Sequence, residues 1–290
     1  MTVWNIFRRS FGESLRRYPL VLIMWMGNLI FALSAMMPLY AFVKNQFGHS
    51  LTVDSMLEKF NMYWVSDLAF MLRDVQPLLW WPMISALLLF LVLQIFFNAA
   101  VLGSLNAWLE KDSLSSFFEN GGRLFGRFFK LFLIFLPLYL IALLVLPALV
   151  DSVSSGYVER AVNEWPGQIV FLIKTGVMIL AFTIVNMVAD YAKIAAVQND
   201  RIGAVRALLT GGRFLFRTFF RAWALYWLLV IFFLIVSVAY METENLITAN
   251  SAALIVVVFL LQQIYMLCRY WIKVQFYQAQ MEFFQANHLI

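Results

Sequence analysis

Cysteine occurs once in this chain, at Cys268, which leaves no intramolecular disulfide and no cysteine-rich metal site. Histidine is almost as scarce, and His49 and His288 lie too far apart in sequence to form a motif. Charge is thin as well: 13% of the 290 residues are Asp, Glu, Lys or Arg, against roughly a quarter in soluble domains. What is abundant is apolar surface, at 63% of residues, where a soluble domain carries roughly 45–50%. One globular core cannot hide that excess, and lipid is the place for it.

Familiar catalytic patterns are missing too. No HExxH, GxSxG, P-loop or Rossmann glycine pattern is present. Aspartyl chemistry needs two acids sharing one site, and no run contains an acid, Asp190 lying just past the end of the fourth. The expectation is therefore a protein that is not an enzyme and has no cofactor and no metal site.

A helix crosses a hydrocarbon core of about 30 Å with about 20 residues. Six runs meet that length, at approximately Leu20–Val43, Leu78–Leu102, Leu131–Val150, Pro166–Val188, Ala222–Met241 and Ser251–Ile272. A membrane barrel would alternate over about ten residues, and "ALLLFLVLQIFF" does not alternate. The expected fold class is all-α: a polytopic membrane bundle of six transmembrane helices in three hairpin units, with basic amphipathic interfacial helices and a single transmembrane domain over 1–290. The leader "FRRSFGESLRRYP" partly imitates a secretory signal, but the apolar stretch continues past Ser34 through "AMMPLYAFV". A retained first helix is expected.

Cations divide unevenly between the two sides. Arg8, Arg9, Arg16 and Arg17 precede the first run. Lys111, Arg123, Arg127 and Lys130 follow the second, and Lys193, Arg201, Arg206, Arg213, Arg217 and Arg221 follow the fourth. Arg269 and Lys273 close the sixth. The opposite side holds Lys44, Lys59, Arg73 and Arg160, with Lys174 just inside a helix, so the split is sixteen to four. The positive-inside rule then puts both termini in the cytoplasm, with the chain in the cytoplasmic (inner) membrane.

An internal echo supports the three-unit reading. "GGRLFGRFFKLFLIF" (121–135) and "GGRFLFRTFFRAWAL" (211–225) match at Gly-Gly-Arg and at the arginine four positions on, with "FRRSFGESLRRYPLVL" as a looser copy at the N-terminus. The approximate units are 1–110, 111–200 and 201–290. Each opens on a basic amphipathic segment. Trp4, Phe7, Phe11 and Leu15 form one stripe, and Leu114, Phe117, Phe118, Leu124, Phe125 and Phe128 another. In the third, Arg206, Arg213, Arg217 and Arg221 fall within about 80° of a helical wheel, with Val205, Leu208, Leu215, Phe216 and Phe219 pointing broadly away. Such segments are expected to lie in the interface, aromatic side down, with Arg123, Arg127, Arg206, Arg213, Arg217 and Arg221 as contacts for anionic headgroups. Equally, they fit plain cytoplasmic helix ends that obey the charge rule. The glycine pairs are expected to mark bends from interfacial into spanning helix. The cations sit beside spans with aromatic partners, which points to lipid and not to nucleic acid. A membrane-protein partner is a further possibility.

The first outer connection carries its own helical stripe, from Val53 to Val75, and is expected to be an amphipathic helix on the outer face. "DSVSSGYVERAVNEW" reads as a shorter counterpart ended by Pro166. Pro38, Pro137 and Pro147 interrupt the first and third runs and are candidates for kinks.

Polar residues inside the runs are the remaining signal. Asp190 and Lys193, three apart, can pair on one helix face. Counted from Pro166, the fourth run reaches about 30 Å near residue 186, so Asp190 reads as the wet end of a helix. The competing reading is an intramembrane polar or ion site comprising Asp190, Lys193, Asn98, Asn186 and Gln262, with Asn28, Gln94 and Gln263 as further buried polar candidates. Hydrogen bonding between helices is the plain role of such groups. A polar pathway along the even-numbered spans is the sharper one.

Six helices with basic amphipathic lead-ins, the two Gly-Gly-Arg segments and "VADYAKIAAVQNDRIGAVRAL" together make a pattern. In this outline the chain resembles, over its whole length, the bacterial six-helix inner-membrane superfamily that includes the membrane domain of some glycerophosphodiester phosphodiesterases. It carries no phosphodiesterase catalytic domain, so the resemblance implies an inner-membrane bundle and no activity. Two functions stand open at this point. One is a non-enzymatic membrane protein that organises lipid or partner proteins; the other is a transporter or lipid translocator. A polar cavity between the helices would favour the second, and a dry bundle the first.

Overall fold

A backbone in hydrocarbon has no water to bond, so each apolar run must satisfy its own N–H and C=O groups, and a helix does so locally. The computed structural model describes residues 2–47, 76–106, 113–159, 163–199, 201–247 and 251–288. Among them there are eight α-helices and no strand: α1 (Val3–Arg16), α2 (Tyr18–Phe47), α3 (Gln76–Asn106), α4 (Leu114–Leu140), α5 (Leu146–Glu159), α6 (Trp165–Gln198), α7 (Ala204–Asn245) and α8 (Ala252–His288). A π turn, Ile141–Val145, joins α4 to α5, so these two make one long span. With α2, α3, α6, α7 and α8 this gives six helices long and apolar enough to cross a membrane. The chain is a multi-pass, all-helical membrane bundle. The stripe from Val53 to Val75 lies outside the described residues.

Local chemistry sets several boundaries. Thr2 and Ser113 accept hydrogen bonds from the backbone N–H groups of Asn5 and Ser116, capping α1 and α4. Pro166 sits in the first turn of α6, where its missing N–H costs nothing. Pro147 cannot donate to the carbonyl four residues back. The π turn just before it absorbs the break, with Leu146 N–H reaching Ile141 O. "DSVSSGYVE" is the end of α5, continuous with the third span, and not a separate outer helix.

The glycine pairs do not bend their helices. α4 runs unbroken through Gly121 and Gly122, and α7 through Gly211 and Gly212; α7 departs from helical geometry only at Thr218 (φ −118°, ψ 17°). Close approach explains the first glycine of each pair. A Cβ at Gly211 would stand 2.5 Å from the Ala192 backbone nitrogen, and one at Gly121 would stand 2.5 Å from the Phe96 ring. Gly122 and Gly212 have nothing within 4 Å. Lipid tails supply no hydrophobic drive between helices, so close packing of small residues takes over. Ala189, Ala192 and Ala196 on α6 share a cluster with Ala204 and Ala207 on α7, and Gly211 completes that seam.

The basic lead-in segments are also packed differently from the expectation of aromatics facing lipid. On α1, Ile6, Ser10 and Ser14 are buried, and Phe7 and Phe11 stack edge-on against Phe232 of α7 and, for Phe11, Trp271 of α8. On α4, Phe117, Leu124 and Phe128 are in the core. On α7, Phe214 and Leu215 are buried, Phe214 against Tyr191 and Phe284. Each lead-in helix lies on another helix: α4 on α3, α7 on α6, and α1 on α8.

These pairings gather the buried residues at one end of the bundle. Leu20 and Met24 of α2, Ala99–Leu102 of α3, Met187–Val197 of α6 and Tyr270–Phe284 of α8 contribute to this base. The other end is thinly packed, and its apolar side chains face outward, among them Ile30, Leu88, Leu144, Phe171, Ile235 and Val256. At 1.5 Å per residue the 42 residues of α7 span about 63 Å, twice the hydrocarbon thickness. The base therefore extends past the lipid-facing band.

Candidate functional site: a polar cavity between five helices

Helical spacing puts chemistry on one face of α8. Arg269, Lys273, Tyr277 and Gln280 recur at intervals of four, four and three, the period of a single helix face. α6 presents Asn186, Asp190 and Lys193 in the same way, and α3 presents Gln94 and Asn98. α2 adds Asn28, α4 adds Tyr139 and α7 adds Tyr226. These side chains meet where the packed base gives way to the apolar band.

Their hydrogen bonds run from helix to helix. Asn28 Nδ2 donates to its own helix at Met24 O (2.8 Å), and Asn28 Oδ1 accepts from Gln94 Nε2 (2.8 Å). Gln94 Oε1 in turn accepts from Lys273 Nζ at 3.4 Å. Tyr277 donates its hydroxyl to Asn98 Oδ1 (3.1 Å), and Tyr139 donates to Asn186 Oδ1. Asp190 is held at both oxygens: Lys193 Nζ is 3.0 Å from Oδ1, and Gln280 Nε2 is 3.3 Å from Oδ2.

Asp190 is thus not a wet helix end. α6 continues two turns beyond it to Gln198, and the Asp190 and Lys193 side chains are only 15% and 22% exposed. The thickness argument fails because α6 does not leave the protein where it leaves the lipid; it enters the packed base. The expected pairing of the two residues is present, but as a bond shielded by α8.

Above this layer lies a cavity of about 740 Å³, inside the roughly 300–1,000 Å³ usual for ligand pockets. Its polar wall includes Asn28, Gln94, Asp190, Arg269, Lys273 and Tyr277; its apolar wall includes Phe31, Ala32, Phe90, Val230, Phe233 and Met266. Five spanning helices contribute. A second recess of about 470 Å³, almost wholly apolar, adjoins it across Phe31 and is lined by Leu89, Val92, Leu93, Phe96 and Phe125.

Of the residues singled out from the sequence, Asp190 and Asn186 line the cavity, and Lys193 and Asn98 sit in the hydrogen-bonded layer beside it. Gln262 is elsewhere: it donates to Glu244 Oε1 (3.3 Å) towards the far end of α7. Hydropathy does not mark Arg269, at the end of the sixth run, or Lys273, Tyr277 and Gln280, beyond its last residue Ile272, as site residues. The signal that finds them is the four-residue recurrence continuing past that end.

The proposed headgroup arginines divide as well. Arg127 Nη1 donates to Ala196 O at 3.2 Å, capping the last turn of α6, and Arg123 donates to Asn120 Oδ1 at 3.0 Å. Arg206, Arg213, Arg217 and Arg221 stay exposed along α7, next to Phe216 and Phe220, each 85% exposed. Arg213 and Arg217 line a groove with Phe216 and Thr218.

A second charged cluster ties α1 to α8. Arg9 Nε bonds Glu13 Oε1 (2.9 Å), and Gln278 Nε2 donates both to Glu13 Oε2 (2.7 Å) and to Glu282 Oε1 (3.0 Å). Burial pushes the Glu13 carboxyl up, but its hydrogen bonds with Arg9, Glu282 and Gln278 outweigh that and hold it below the usual carboxylate value. The bond to Glu13 raises Arg9 in return. Among the described residues no group of three or more His, Cys, Asp or Glu is placed to hold a metal ion. No family model, curated protein or solved structure matches this chain.

Proposed function

We propose that this chain is a non-enzymatic protein of the bacterial inner membrane that takes a single membrane amphiphile into the cavity between its helices and passes it between leaflets. One observation carries the reading: the cavity is polar at the packed base and apolar towards the lipid-facing band, with five spans around it. An amphiphile has that same division. Simple bracing between helices needs the hydrogen bonds but leaves a cavity of about 740 Å³ without a purpose. The sixteen-to-four split of cations supports both termini in the cytoplasm and, with them, the base on the cytoplasmic side. The three pairings of lead-in helices support three repeated units, and the superfamily resemblance fits the same layout.

The test is reconstitution into liposomes that carry a trace of head-labelled lipid, bleached from outside. Protein should accelerate loss of the inner-leaflet signal over empty liposomes, and Ala32→Trp, which fills the cavity from a wall position, should abolish the gain. No acceleration would remove translocation. The remaining reading, a protein that organises lipid or a membrane-protein partner, rests on the exposed Phe216, Phe220, Arg213 and Arg217 of α7. It expects binding to anionic vesicles that weakens when these arginines are replaced by glutamine.

A further inference from the structure

Building on the amphiphile reading, we infer that the cavity selects an anionic phospholipid, with the phosphate group between Lys273 and Arg269. The argument is charge balance in a place where charge is expensive. Three ionisable side chains of fixed sign line the cavity: Asp190, Arg269 and Lys273. Asp190 is already answered, since Lys193 holds one oxygen at 3.0 Å and Gln280 the other at 3.3 Å. Lys273 bonds only a neutral partner, Gln94 Oε1, at 3.4 Å. Arg269 lies one turn away on the same face of α8 and, like Lys273, has no carboxylate within salt-bridge distance among the described residues. Two cations thus share a cavity whose one lining carboxylate is engaged elsewhere. Lys273 is half-buried, and a charge drawn away from water needs a counter-charge; Arg269, exposed at the cavity wall, adds a second cation, and the ligand is the available source of the answering charge.

The geometry supplies the rest of a lipid site. A guanidinium and an ammonium four residues apart can bracket one phosphate: arginine offers a planar fork, lysine a point charge. From there the walls turn apolar through Phe31, Phe90 and Phe233. Phe31 also borders the second, apolar recess of about 470 Å³, so a two-chain lipid has one space for each chain. A free phosphate shares the headgroup chemistry but leaves both apolar walls unused.

Native mass spectrometry of the full-length protein in detergent tests this, with phosphatidylglycerol, phosphatidylcholine of the same chains, and inorganic phosphate as the three probes. The expected result is at least a tenfold preference for phosphatidylglycerol over phosphatidylcholine in the adduct that Ala32→Trp removes. Lys273→Gln and Arg269→Gln should each cut that preference several-fold, and Lys273→Arg should retain most of it. Thermal melts of each variant establish that the fold persists; should Lys273→Gln not fold, Arg269→Gln, at an exposed position, carries the test. Equal loss of both lipids in Ala32→Trp, with no charge preference in the parent protein, would overturn the anionic assignment while leaving an amphiphile site. Lipid adducts wholly unaffected by Ala32→Trp would overturn the cavity reading itself, and the anionic assignment with it. Inorganic phosphate binding as tightly as the lipid, insensitive to Ala32→Trp, would overturn the choice of lipid as ligand.

Discussion

The two ends of this bundle are made of much the same residues and do different things with them. Leu124 of α4 is fully buried, while Leu88 of α3 faces outward, and nothing in their residue type separates them. At the base, alanine, glycine and aromatic residues interlock: Ala192 against Gly211, Phe96 against Gly121. In the lipid-facing half the large apolar side chains, among them Leu88, Leu144 and Ile235, face outward and are free to meet acyl chains. Apolar character therefore reports two solvents here, protein and lipid, and the polar cavity sits at their boundary. That position lets charged groups be held by the base while remaining within reach of a lipid.

The comparison breaks most sharply by truncation. Leu124→Ala should cost about 2–5 kcal/mol, the range for a buried leucine that leaves a cavity. Leu88→Ala should fall within about 0.5 kcal/mol, as surface changes do. Thermal melts in one detergent compare the two; similar losses would mean that the halves are packed alike.

Next in size is the buried pair. Asp190→Asn removes the charge that holds Lys193 and weakens the acceptor for Gln280. It should cost roughly 2–4 kcal/mol, somewhat under the usual figure for a broken buried pair because both side chains keep some exposure. Asp190→Asn combined with Lys193→Met should recover part of that loss. A melt unchanged by Asp190→Asn would return this residue to the solvated end of a helix.

The glycine pairs give a within-sequence control. Gly211→Ala drives a Cβ into the backbone of α6 and should cost about 1–3 kcal/mol as overpacking. Gly121→Ala meets the Phe96 ring first, a side chain and not backbone, and should cost less. Gly212→Ala and Gly122→Ala meet nothing and should be neutral or stabilising by up to about 1 kcal/mol, the helix-propensity gain. Destabilisation of equal size at Gly211 and Gly212 would contradict the close seam between α6 and α7.

The smallest effect concerns α1. Because the folded protein holds the Glu13 carboxyl below its ordinary value of 4.5, the stabilisation is fully present above that pH. It is lost as pH falls below it, towards the lowered folded value. Hydrogen exchange in α1 should accelerate over that acid window, and less so in Glu13→Gln, which has no proton to take up. Exchange in α1 that is independent of pH there, after correction for intrinsic rates, would remove the electrostatic part of this contact.

Six spans were legible because length and continuous hydropathy are local properties, and Pro166 and Pro147 punctuate where their missing N–H groups require. The packing was not. Phe117 and Phe118 are adjacent in sequence, yet one is in the core and the other exposed, and hydropathy cannot tell a protein-facing phenylalanine from a lipid-facing one. Asp190 and Lys193 could be paired from spacing alone. That Gln280 covers them from 90 residues away could not. Hydropathy marks Lys273 only as a charge just past the sixth run, whereas it lines the cavity and bonds Gln94 of α3, because α8 continues to His288 in contact with other helices. Gln262 shows the opposite error: a polar residue near the middle of a run that turns towards Glu244, away from the cavity.

The central claim is that the cavity at the boundary between base and band holds a lipid, and electron cryomicroscopy of the protein in nanodiscs containing anionic lipid tests it most directly. The expected map has a headgroup density beside Lys273 and Arg269, with chain density running past Phe31 towards Phe90 and Phe233. A map in which α2, α3, α7 and α8 close on one another, with these side chains in mutual contact and no density between them, would contradict it.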